Sequence, residues 1–91
     1  MALKWTTSAE HDLVRLHAFL ASENPRAAAQ VVQQLVSGAE HLLTFPQLGV
    51  PLGEFAPAEV RRVIVADYEI RYECADTTIY ILRLWHAGDD R

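Results

Sequence analysis

Hydrophobic and polar positions change period once along this chain, from helical to extended, across a proline-rich stretch. Ala9, Leu13, Leu16 and Leu20 recur at helical spacing and form one apolar stripe. Thr7-Ser8-Ala9-Glu10 fits a capping box, with Glu10 and Asp12 placed where the helix dipole favours negative charge. The spacing predicts a helix over about 8–22. Asn24 and Pro25 then supply an N-cap and a first helical residue for a second helix over about 25–44. Ala28, Val32, Leu35, Ala39 and Leu42 share its apolar face, with Val31 beside it. Gly38 inside that helix is read as a place where the first helix comes close.

Downstream the period is two. Tyr68, Ile70, Tyr72 and Cys74 alternate with Glu69, Arg71 and Glu73, as in a strand with one buried and one wet face. The run from Ile79 to Trp85 is apolar on both sides and reads as a central strand. Asp76-Thr77-Thr78 suits a hairpin turn, and Ala66-Asp67 links a further strand beginning at Val60. Strands are predicted over about 60–66, 68–75 and 78–86, and a short one at Leu3-Lys4-Trp5-Thr6 at the edge or beside the central strand. The stretch 45–59 holds Pro46, Pro51, Pro57, Gly49 and Gly53; it reads as a loop, long enough to be a candidate partner-binding segment. The tail 87–91 is polar and expected to be mobile.

These elements predict one α+β domain over residues 1–91. Its N-terminal strand and α-helical hairpin would pack on one face of a mostly antiparallel four-stranded sheet. The other face would carry Glu69, Arg71, Glu73 and Arg83, with Tyr68, Tyr72, Trp5, Trp85 and Cys74 in the core.

Composition narrows the function classes. The chain is 51% hydrophobic, enough for a core at this size. One cysteine excludes an internal disulfide and suits a reducing cytoplasm. Neither a signal peptide nor a membrane span is expected, so a cytoplasmic protein is. A net charge of −4 argues against direct, non-specific nucleic-acid binding. His11, His17 and His41 have no ligand-like spacing, so no metal and no cofactor are expected.

Several short pieces together carry a family likeness. They are Trp5, then Ala9 with Asp12-Leu13, then Asn24-Pro25 with Ala27-Ala28, then Leu43 with Phe45-Pro46 and Gly49. They continue through Arg61-Arg62-Val63-Ile64-Val65, Tyr68-Glu69-Ile70-Arg71-Tyr72 and Ile79-Tyr80-Ile81-Leu82-Arg83-Leu84-Trp85-His86. In order and spacing the chain resembles the RelE/ParE superfamily of bacterial toxins, the toxin halves of type II toxin–antitoxin pairs. RelE-like members are ribosome-dependent messenger-RNA endonucleases. ParE-like members inhibit DNA gyrase without a hydrolytic centre of their own. Asn24-Pro25 and Trp85-His86 look more like the ParE branch. RelE-like nucleases have an arginine where Glu69 stands and basic residues where Ala87-Gly88-Asp89-Asp90 follow the last strand.

The resemblance implies a ParE-like gyrase inhibitor, neutralised by a cognate antitoxin in a hetero-oligomer. Arg83, His86 and Arg91 are the candidate target contacts. Leu16, Leu20, Val31, Val32 and Leu35 are candidate antitoxin anchors, since a two-helix layer cannot bury every apolar position on one small sheet. The alternative is a RelE-like nuclease with Arg61, Arg83 and His86 on the phosphate, which requires the three to converge. A third reading is a low-toxicity member that only holds an antitoxin.

Overall fold

The computed structural model describes residues 1–88. Its elements are β1 (Ala2–Trp5), α1 (Thr7–Ala21), α2 (Pro25–His41), β2 (Val50–Pro51), a 3-10 turn (Gly53–Phe55), β3 (Glu59–Val65), β4 (Tyr68–Ala75) and β5 (Thr78–His86). The helical hairpin packs on one face of the sheet, as the pattern predicts. The sheet has five strands, in the order β1-β5-β4-β3-β2. β1 runs parallel to β5 and the other pairings are antiparallel. The fifth strand is the two-residue β2, paired with Arg61 and Arg62 inside the proline-rich stretch. It is too short to show a period, and its proline is tolerated because it lies at the sheet edge.

Capping residues fix where the helices start. Thr6, one residue earlier than the capping box suggests, caps α1: its side chain accepts from the Ala9 N–H at 3.1 Å. The Thr6 backbone N–H donates to the Ile81 carbonyl at 3.0 Å, and its hydroxyl lies 2.9 Å from that oxygen and 3.0 Å from the Leu82 carbonyl. The helix start is thereby tied to β5. Asp12 falls in the second turn, clear of the first-turn position where Glu10 sits. Asn24 caps α2 through the Ala27 N–H at 3.1 Å, with Pro25 first in the helix. That helix stops at His41, short of Thr44, and a turn follows.

β4 is the central strand and β5 is only partly interior. β1 covers it from Thr78 to Ile81 and then ends. Register between β4 and β5 shifts at Arg71/Tyr72: Arg71 faces Arg83 while Tyr72 faces Ile81, so Leu82 is the extra residue of a bulge. The bulge explains the missing alternation in β5. Ile79, Ile81 and Leu84 all reach the core, with the phase reset at Leu82.

Ala9, Leu35, Ala39, Leu42, Ile70, Tyr72, Ile79, Ile81 and Leu84 form the buried core. Gly38 answers to the sheet and not to α1: a Cβ there would lie 2.8 Å from a Val65 methyl of β3. The root of the long loop is pinned by Tyr72, whose hydroxyl accepts from the Gly49 N–H and donates to the Pro46 carbonyl, both at 2.8 Å. A Cβ on Gly49 would meet the Arg62 carbonyl at 2.6 Å, so only glycine fits. Among the described residues no helix is long and apolar enough to cross a membrane.

Candidate functional site

Where β1 ends, the edge of β5 is left without a strand partner, and α1 supplies a carboxylate in its place. Asp12 is 5% exposed. It accepts four hydrogen bonds: from Arg83 Nε at 2.7 Å and Nη2 at 3.1 Å, from the Leu84 N–H at 3.0 Å and from Arg15 Nη2 at 2.6 Å. Burial pushes the Asp12 carboxyl up, but the bonds from Arg83, Leu84 and Arg15 and the Arg83 charge outweigh it, so it sits below its ordinary value. The Arg83 guanidinium is raised in turn by its bond to Asp12. Arg83 is therefore engaged with the first helix. It pairs with neither Glu69 nor Glu73 of the open face.

Arg61 is engaged elsewhere. Its Nε bonds Glu59 at 2.9 Å and its Nη1 bonds the Gly49 carbonyl at 2.8 Å. Arg61 faces Tyr72 across β3–β4, whereas Arg83 faces Arg71 across β4–β5. The two arginines lie on strands about 9.5 Å apart and at neighbouring register positions, which point to opposite faces. His86 is exposed at the end of β5, opposite Tyr68. Its Nδ1 accepts from the Gly88 N–H at 3.1 Å, and its ring meets the Tyr68 ring edge-on at 5.4 Å. The structure does not bring Arg61, Arg83 and His86 together. Arg91 lies outside the described residues, as does most of the tail. Burial pushes the Cys74 thiol and the Tyr72 hydroxyl up, which leaves neither suited to act as a nucleophile or acid at neutral pH.

Of the five candidate anchors, Leu35 is fully buried and belongs to the core, because α2 turns that position squarely onto the sheet. Leu16, Leu20, Val31 and Val32 are partly buried. Leu16 lines an open groove of about 530 Å³ between α1 and the end of β5, with Arg15, Phe19, Tyr68, Trp85 and His86. Phe19 is 74% exposed there. The apolar stripe did not point to Phe19, since it falls off the Leu13–Leu16–Leu20 face.

The open face differs from expectation too. Trp85 sits on it, 8% exposed, opposite Glu69. The Arg71 guanidinium carbon lies over the rings of Phe55 and Trp85, at 5.1 and 4.8 Å from their centroids. Glu69 faces Arg62 at 3.9 Å. Among the described residues no group of three His, Cys, Asp or Glu side chains could hold a metal ion.

A helical hairpin on one face of a five-stranded sheet, with Asp12 closing the edge of the last strand, makes this a small α+β domain. Comparison with known proteins places it in a family. The sequence model described as "ParE toxin of type II toxin-antitoxin system, parDE" matches residues 3–91. Toxin RelE2 of Caulobacter vibrioides is 33% identical over 85 residues, covering 92% of each chain. Toxin RelE1 of the same organism is 28% identical over 87 residues, covering 91% of this chain and 89% of that one. A solved structure titled "Chromosomal ParDE TA system from P. aeruginosa" superposes with a TM-score of 0.81 over 97% of both chains at 24% identity, a likeness of fold. The chain belongs to the ParE toxin family of type II toxin–antitoxin systems, within the RelE/ParE superfamily. Membership of that family carries with it a cognate antitoxin as partner.

Proposed function

We propose that this toxin acts as a ParE-like inhibitor of DNA gyrase in the cytoplasm, held inactive by its antitoxin, and that it does not cut RNA. The supporting observation is the separation of Arg61, Arg83 and His86. Cleaving RNA through a 2′-hydroxyl needs a base, an acid and cations on one phosphate. Here Arg61 is bound to Glu59 and Gly49, and Arg83 is bound to Asp12. His86 faces Tyr68 at the end of the last strand. Glu69, where RelE-like nucleases resemble one another in carrying arginine, adds a negative charge to the sheet face that carries Arg83. The antitoxin would lay an apolar helix along the α1 groove, with Leu16 and Phe19 as its main contacts.

The names of the two Caulobacter relatives keep RelE-like messenger cleavage as the second reading. Two parallel reactions decide between them: plasmid supercoiling by gyrase, and message integrity on translating ribosomes. Lost supercoiling with intact message supports the proposal, and cut message with normal supercoiling supports the alternative. Activity in neither favours a low-toxicity member that only binds its antitoxin.

A further inference from the structure

The open face of the sheet carries a row of three arginines. Arg62 of β3, Arg71 of β4 and Arg83 of β5 are direct register partners. Like charges placed opposite one another across strands repel, so each calls for a counter-charge. Two have one: Arg83 holds Asp12 at 2.7 Å, and Arg62 faces Glu69 at 3.9 Å. The Arg71 side chain makes no hydrogen bond and no ion pair with the described residues, and its Nε is buried without a partner. What holds it is aromatic: Phe55 from the 3-10 turn and Trp85 from β5, within about 6 Å, the range of a cation–π contact.

A guanidinium packed against two aromatic rings still has N–H groups to donate, and the side chain keeps partial exposure. The two terminal nitrogens then present a fixed fork that matches the two oxygens of a carboxylate or a phosphate. The neighbours discriminate between these. Glu69 and Glu73 flank Arg71 on the same strand and the same face, and the whole chain carries −4. A polyanion must bring several charges past both glutamates. A lone carboxylate brings one charge and completes the pattern its neighbours Arg62 and Arg83 already show.

We propose that Arg71, clamped by Phe55 and Trp85, is a binding site for a single side-chain carboxylate on a protein partner. Trp85 also lines the α1 groove, so one partner can occupy the groove and place an acidic residue on Arg71. The proposal takes from the toxin reading only that a protein partner exists. Its test involves neither gyrase nor an antitoxin, so the two stand or fall separately.

The test is a titration of the full chain by NMR, following the Arg71 Nε–Hε signal. The probes are N-acetyl-glutamate amide, its neutral counterpart N-acetyl-glutamine amide, and a single-stranded RNA hexamer. Saturable shifts with the glutamate probe are expected, with none for glutamine. Arg71→Met, followed at the Trp85 indole N–H because it lacks the Arg71 signal, should weaken binding about tenfold or more, the loss expected for hydrogen bonds to a charged group. Phe55→Tyr should retain the glutamate response and Phe55→Ala should reduce it; this pair decides the matter if Arg71→Met does not fold. Equal shifts with both amides, or no shift, would overturn the proposal. RNA binding more tightly than glutamate at the same signal would overturn it in favour of a nucleic-acid face.

Discussion

Asp12 of α1 and Arg83 of β5, 71 residues apart in sequence, bind each other through two hydrogen bonds of 2.7 and 3.1 Å. The same carboxylate takes the Leu84 N–H that no neighbouring strand reaches. Thus one side chain closes the open edge of β5 and ties the Arg83 guanidinium to the first helix.

Asp12→Asn should therefore destabilise the fold by about 2 kcal/mol, the range for hydrogen bonds to a charged group discounted for the exposure of Arg83. Urea unfolding measures it. The pH dependence follows from the lowered carboxyl of Asp12. Its contribution is fully present above the unfolded aspartate value of about 3.9 and is lost as pH falls through the lower folded value. Wild-type urea midpoints should drop in that acid window by more than those of Asp12→Asn, and parallel curves would contradict the role assigned to this carboxylate.

Tyr72→Phe should cost about 1–2 kcal/mol, since it strands the buried Gly49 N–H and leaves the Pro46 carbonyl only the Cys74 thiol at 3.7 Å. Hydrogen exchange at Gly49 should accelerate far more than exchange in the α2 interior. Unchanged Gly49 protection would mean that the loop root is held by something other than the tyrosine hydroxyl.

Much of this architecture is legible in the sequence, and the misses have physical causes. Asn24-Pro25 and the alternation from Tyr68 to Cys74 place α2 and β4 correctly, because capping and pleating are local. Tyr72 was legible as core, but its hydroxyl's partners lie 23 and 26 residues away. The bulge at Leu82 was hidden inside an apolar run, where a phase shift leaves no mark. Asp12 sits within the stripe of Ala9, Leu13 and Leu16, and a carboxylate among apolar positions was the available sign of a buried partner. Its partner was not readable, because β1 stops short of Leu84 only in three dimensions. The Phe55–Arg71–Trp85 stack joins a loop to two strands and has no signature along the chain.

The β3–β4 hairpin turns through Ala66 and Asp67, both at positive φ, 51° and 66°. A Cβ is strained there, and such two-residue turns favour asparagine or glycine. Ala66→Asn should raise stability by about 0.5–1 kcal/mol, read as a higher urea midpoint at unchanged slope. A lower midpoint would contradict the turn geometry.

Antitoxin binding should separate Phe19 from Leu35. Phe19→Asp, at an exposed groove position, should leave the urea midpoint nearly unchanged and weaken antitoxin affinity by more than about 1 kcal/mol if Phe19 anchors the partner. Leu35→Asp places a charge in the core and should unfold the chain. Calorimetric titration with the cognate antitoxin, alongside circular dichroism, distinguishes the two. Full affinity in Phe19→Asp would move the interface off the α1 groove.

Gyrase itself provides the most direct measurement. Purified toxin is titrated into plasmid supercoiling by gyrase, with the cognate antitoxin added back in a second series. The account predicts a dose-dependent loss of supercoiled product, or trapped cleaved plasmid, that the antitoxin reverses, while message on translating ribosomes stays intact. Undiminished supercoiling at a large molar excess of toxin, together with message cut within codons and cutting abolished in a folded His86→Ala variant, would contradict it.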